Sequence, residues 1–235
     1  MVAPSKSFTP ILDTQIDANS PINVTLMTSI RDSLVHLEEW LGDAYTAAKD
    51  HNHDGVNSAF AGGLQLIDTA VASASATLEV TGMSSSFDLY LCTLIGFQPA
   101  TDNQDLWLRT GLTGTYAAGA ADYEWGLQQG TLGALSPFSD ASDTEINLHD
   151  PAVGMGNAAD EFGDWRIWIY NPAATVQDKR IEFTGHYLNA AGGRVSIPIG
   201  VATRLSTGAI DGLRFLYDVG NIAAGTARLY GVQNA

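Results

Sequence analysis

The chain has 235 residues, 45% of them hydrophobic, with 24 glycines and a formal net charge of −15. That length allows one medium domain plus an appendage, with a full hydrophobic core. The acidic field argues against nucleic acid or an anionic membrane as ligand, and no apolar run reaches the length of a transmembrane helix.

Residues 1–19 are polar, carry Pro4 and Pro10, and lack periodicity. They read as an extended arm. Met1–Lys6 holds no apolar signal segment, so the expectation is a soluble protein made in a cytoplasm. Ser20 can cap a helix and Pro21 suits its first position. Met27, Ile30, Leu34, Leu37 and Leu41 then follow in alternating spacings of three and four, the a/d pattern of one apolar seam. Two readings stay open: a short parallel bundle joining identical chains, or an amphipathic helix packed on its own domain.

His51 and His53 follow, one residue apart, in His51-Asn52-His53-Asp54-Gly55. In extended backbone both imidazoles point to one side, where they can bind one metal ion. One chain supplies two nitrogens, too few for a closed site; a threefold axis supplies six, enough for an octahedral ion. The bland alternative is a polar turn that ends the helix. Ala59–Gly63 is a small-residue linker, which divides the chain into an arm (1–19), an oligomerising helix with its His-x-His turn (20–63) and a third region (64–235).

From Leu64 onward the period is two. Strands are expected near 76–80, 87–94, 105–110, 123–127, 145–148, 165–170, 180–188, 194–201, 212–217 and 226–232. They are separated by the turn signals Thr81-Gly82, Asn171-Pro172, Gly192-Gly193 and Gly220-Asn221. Short strands without helical intervals predict a mainly β fold, a jelly-roll-like β-sandwich preceded by the arm and the short helix. Pro198 places its strand at a sheet edge. Leu205–Asp211 has room for a helical turn. Thr113–Asp164 reads as a long irregular stretch, the first place to seek a receptor or neighbouring subunit. Cys92, alone in an apolar run, reads as a buried inert thiol.

Chemical signatures are sparse. Asp140, Asp143, Glu145 and Asp150, and separately Asp160, Glu161 and Asp164, are oxygen-rich but lack the spacing of a calcium loop. Trp107, Tyr123, Trp125, Trp165 and Trp168 offer an aromatic platform for carbohydrate, although Trp165 and Trp168 must face opposite ways on one strand. His149 and His186 are isolated, no serine sits in a nucleophile elbow, no glycine loop cradles phosphate, and there is no basic patch. The chain is therefore not expected to be an enzyme.

The run Thr9-Pro10-Ile11-Leu12-Asp13-Thr14-Gln15-Ile16-Asp17, with Ser20-Pro21-Ile22, Leu26-Met27 and His51-Asn52-His53-Asp54-Gly55-Val56-Asn57-Ser58, resembles the N-terminal region of tailed-bacteriophage virion proteins. Similar segments begin tail-fibre, head-fibre and spike proteins, some from prophages and gene-transfer particles. Ile210–Leu216 and Gly220–Val232 resemble the end of the same group. The resemblance implies a structural virion protein, a surface spike, fibre or decoration subunit attached through residues 1–19 to other virion proteins, made in the host cytoplasm and displayed on the particle. It implies a homotrimer, with iron or another divalent metal at His51 and His53 on the axis, since His-x-His repeats of trimeric fibres hold iron there. The alternative is a module that binds host-surface carbohydrate, and the least favoured is a polysaccharide depolymerase.

Overall fold

The computed structural model describes residues 24–44, 63–131, 134–191 and 195–233. Two compact units, Met1–Phe60 and Ala61–Ala235, divide the chain. In the first, the seam residues lie on one α-helix, α1 (Val24–Ala44), which runs past Gly42. Leu26 and Ser29 are buried, while Met27 and Leu34, one heptad apart, are 54% and 60% exposed.

The second unit holds thirteen strands: β1 (Leu64–Ser75), β2 (Leu78–Thr81), β3 (Leu89–Pro99), β4 (Leu106–Leu112), β5 (Thr115–Tyr116), β6 (Tyr123–Thr131) and β7 (Ala134–Asp143), then β8 (Ile146–Asn147), β9 (Gly163–Tyr170), β10 (Lys179–Leu188), β11 (Val195–Arg204), β12 (Gly212–Tyr217) and β13 (Ile222–Val232). They form an eight-stranded sheet, β1-β13-β3-β9-β10-β11-β6-β7, and a five-stranded sheet, β2-β12-β4-β5 with β8 also on β4. All pairs are antiparallel. β1 pairs with β13 and β2 with β12, so the chain is rolled with its first strands against its last. Most connections cross from one sheet to the other, the double-sheet jelly-roll pattern. Two hairpins, β10–β11 and β6–β7, extend the larger sheet beyond the roll.

Period-two patterning explains the core. On β9, Trp165, Ile167 and Ile169 point inward and are at most 1% exposed, while Asp164, Arg166, Trp168 and Tyr170 point outward. Side chains from both sheets, including Tyr90, Cys92, Leu94, Phe97, Leu106, Leu108, Leu213, Phe215 and Leu229, join one buried cluster. Each large apolar side chain in it contributes roughly 1.5–3 kcal/mol by leaving water. Cys92 is a free, fully buried thiol there, and burial raises its pKa well above the usual range.

Three expectations need correction. Thr113–Asp164 is not one irregular stretch: besides β6 and β8, which fall where strands were expected at 123–127 and 145–148, it contains β5 and β7. Its Gly, Ala and Ser residues hide the alternation that bulky side chains would show. Pro198 lies on β11, an interior strand between β10 and β6. Its missing N–H is accommodated by a gap: β10–β11 pairing runs to Thr184↔Ile199 and resumes at Tyr187↔Ser196. Leu205–Asp211 is irregular rather than helical.

Three of the four turn signals fall where the sequence places them; Gly192-Gly193 lies outside the described residues. Gly82, Asn171 and Gly220 have φ of 98°, 46° and 85°, in the left-handed region. Elsewhere glycine supplies space. Gly163 and Gly185 lie under the Trp165 indole, and a Cβ at Gly185 would collide with its Cδ1 and Nε1. Gly185→Ala is expected to cost about 1–3 kcal/mol by overpacking. Urea unfolding checks this; an unchanged midpoint would mean that the indole has somewhere else to go.

Candidate functional site

His51 and His53 lie outside the described residues, as do the side chains of Leu37 and Leu41. The expected aromatic platform does not form. Tyr123, Trp125 and Trp165 are core residues, at most 7% exposed, because they occupy inward positions of their strands. Trp107 faces outward from the five-stranded sheet and Trp168 from the eight-stranded one, so the two lie on opposite sides of the sandwich.

The acidic groups are dispersed by their backbone roles. Asp140 Oδ1 accepts from Ser142 N, Asp143 Oδ2 accepts from Trp125 Nε1 at 2.9 Å, and Asp150 Oδ1 accepts from Ala152 N. Glu145 pairs with Arg109 at 3.0 Å. Glu161 Oε2 accepts from Ala158 N, and Asp164 accepts from Gly96 N. Among the described residues no three His, Cys, Asp or Glu side chains converge as metal ligands.

A buried polar belt runs through Glu145–Asp150, six consecutive buried residues. Within it His149 Nε2 accepts from Leu106 N at 2.9 Å, which puts the ring proton on Nδ1, 3.0 Å from the Asp150 carbonyl. Tyr187 packs against the imidazole at 4.7 Å, donates its hydroxyl to Val153 O and accepts from Gln129 Nε2. Gln129 Oε1 in turn accepts from Asp150 N. Both His149 nitrogens are committed to backbone, so the residue is a structural pin rather than a base. Burial lowers its pKa to about 4. Nearby Asp105 is pushed up to about 7 by burial and by the charges of Asp218 and Asp150.

The outer face of the eight-stranded sheet is the richer surface. Strand register aligns Arg228↔Thr93↔Arg166 and, one row along, Tyr230↔Leu91↔Trp168, across β13, β3 and β9. Alternation turns all six outward. Beside them Asp164 and His186 pair at 3.2 Å, at the edge of a depression of about 250 Å³ lined also by Thr93, Ile95, Arg166 and Thr184. The two arginines are far apart in sequence, and register brings them onto one face. A readable signal exists in Arg166-Ile167-Trp168 and Arg228-Leu229-Tyr230, the same Arg-x-aromatic spacing twice.

No family model matches the chain, and no curated protein matches it. A solved structure with a weak likeness is the alginate lyase vAL-1 from Chlorella virus, at 10% sequence identity and a TM-score of 0.24, covering 74% of this chain and 89% of that chain. A score of that size carries no argument about site or activity.

His149 and Asp105 titrate in opposite senses. As pH falls from 6.5 to about 4, the unfolded chain takes up a proton on His149 that the folded chain refuses, so stability falls, by an amount on the order of 3 kcal/mol. As pH rises from 3.8 to about 7, the unfolded chain releases a proton that folded Asp105 keeps, so stability again falls. The two slopes oppose each other over nearly the same window, so Asp105→Asn is expected to raise stability near pH 7 and to expose a steeper fall toward acid. Denaturant midpoints across that range test it; a variant whose pH profile matches that of the wild type would take the titration between pH 3.8 and about 7 away from Asp105.

Proposed function

We propose that the chain is a structural virion protein of a tailed phage or phage-like particle, a surface spike, fibre or decoration subunit. Residues 1–19 attach it to other virion proteins, α1 joins identical chains into a homotrimer, and the β-sandwich faces outward. The observation that carries the assembly role is the exposure of Met27 and Leu34, one heptad apart on one helix. Apolar side chains repeating on that period suit a neighbouring helix better than water. No catalytic role is proposed. His51 and His53 would clamp iron or another divalent ion on the threefold axis, a reading that rests on donor chemistry and on the sequence resemblance.

The alternative, a module that binds host-surface carbohydrate, is supported by a different observation: Trp168, Tyr170 and Tyr230 lie outward on one sheet face. Trp125, buried in the core, is not part of it.

The native mass of the purified protein, with metal analysis of the same peak, tests the assembly reading. A trimer is expected, and Met27→Asp with Leu34→Asp is expected to yield folded monomers, because each substitution places a charge in the seam. A wild-type monomer at micromolar concentration would overturn it. One metal ion per three chains, lost in His51→Ala, would support the clamp; a metal-free trimer would remove it.

A further inference from the structure

The outer face of the eight-stranded sheet carries one small unit twice. On β13 the unit is Arg228 and Tyr230, and on β9 it is Arg166 and Trp168. Both strands are antiparallel to β3 between them, so they run parallel to each other and the two units are related by translation across two strands, about 10 Å. Leu91, between the two aromatic residues, is only 7% exposed although it faces outward, so this row is a packed surface. A repeat of this kind fits a ligand that itself repeats.

The charges sharpen the ligand's chemistry. The chain has 11 Lys and Arg against 26 Asp and Glu. Arg109 pairs with Glu145, and Arg214 with Glu79 while lying 4.2 Å over the Tyr116 ring; Arg180 and Arg204 form no ion pair among the described residues but carry no Arg-x-aromatic unit. Arg166 and Arg228 form no ion pair among the described residues. The acidic groups that share their face are engaged by others. Glu182 accepts from the Tyr170 hydroxyl at 3.0 Å, and Asp164 holds Gly96 N and His186. Two unpaired guanidinium forks on so acidic a protein are placed for carboxylates, which they can grip in two-pronged fashion.

We propose that this face binds an acidic glycan, a chain of pyranose units bearing carboxylates, laid across the strands from β13 to β9. Trp168 and Tyr230 stack under the apolar faces of two sugar rings. Arg166 and Arg228 take carboxylates two units apart, and Thr93 between them offers its hydroxyl to the intervening sugar. The net charge of −15 opposes the approach of any polyanion. That field is screened beyond about 8 Å at physiological ionic strength, so contact is decided by the local arginines. The inference rests on the carbohydrate-binding reading and is independent of the assembly one.

The test is calorimetric titration of the full chain with a ladder of uronic-acid oligosaccharides, from monosaccharide to hexasaccharide. The same ladder with its carboxyls reduced to alcohols and an oligothymidylate of equal charge complete the set. Affinity is expected to step up once a ligand spans both arginines. Arg228→Ala and Arg166→Ala should each weaken the longer ligands about tenfold, the loss of one charged hydrogen-bonding group. Arg228→Ala should leave a monosaccharide seated at Arg166 and Trp168 unaffected. Arg166→Lys, which keeps the charge and loses the fork, should restore only part of the affinity. Equal binding of the carboxyl-reduced ladder would overturn the acidic specificity and leave a neutral carbohydrate face standing. No binding of either ladder would overturn both. Equal binding of oligothymidylate would reassign the face to polyanions at large. A change of native mass in the arginine variants, with no glycan bound by wild type, would reassign it to contact between subunits.

Discussion

The pairing of β1 with β13 is the contact on which the sandwich depends. It joins Leu64 to Val232 and Ser75 to Ile222, residues separated by almost the whole domain. Until it forms, β1 has no hydrogen-bonded partner in the sheet and β13 has β3 alone. Closing so long a loop costs entropy that no local contact returns, so the net stability comes late, when both sheets bury their inner faces together. The core composition follows from that demand. Aromatic and aliphatic side chains from strands remote in sequence meet in one cluster, and small residues are kept where a large ring must lie flat.

The two faces of the larger sheet obey different rules. Its inner face is apolar and closed, and the polar groups next to His149 are tied down. The belt around His149 shows how: ring nitrogens, the Tyr187 hydroxyl and the Gln129 amide each find backbone or one another. The outer face has no such closure. Arg166 and Arg228 form no ion pair among the described residues, and Trp168 and Tyr230 present ring surface beside them. The chemistry worth testing therefore lies on a strand face and not in the acidic loops, where carboxylates are spent on capping turns.

Much of the fold was legible because β9, β10 and β12 alternate large apolar and polar residues, and because glycine or asparagine marks their turns. β1 and β7 were not legible as strands. Their Ala, Ser and Thr residues give no contrast between faces, and each sits at an edge of the larger sheet where one side needs no partner. Pro198 misled for a different reason: the rule that bars proline from interior strands assumes an unbroken ladder, and here the ladder has a gap. Tyr123 and Trp125 were read as a binding platform because aromatic residues suit both a core and a sugar, and strand direction alone decides between them. The Arg-x-aromatic units were visible in the sequence, but only register reveals that they lie side by side.

The rolled topology also sets how the domain carries load. Leu64 and Val232 are paired, so the start of β1 and the end of β13 leave the sheet at the same end. Tension drawn between those two points would unzip the strands one hydrogen bond at a time, at small force. Tension applied along β1 against a sandwich held by its broad outer face would instead shear the whole β1–β13 ladder at once, with every bond sharing the strain. A load entering at residue 63 and resisted at the broad outer face would thus act in the strong direction.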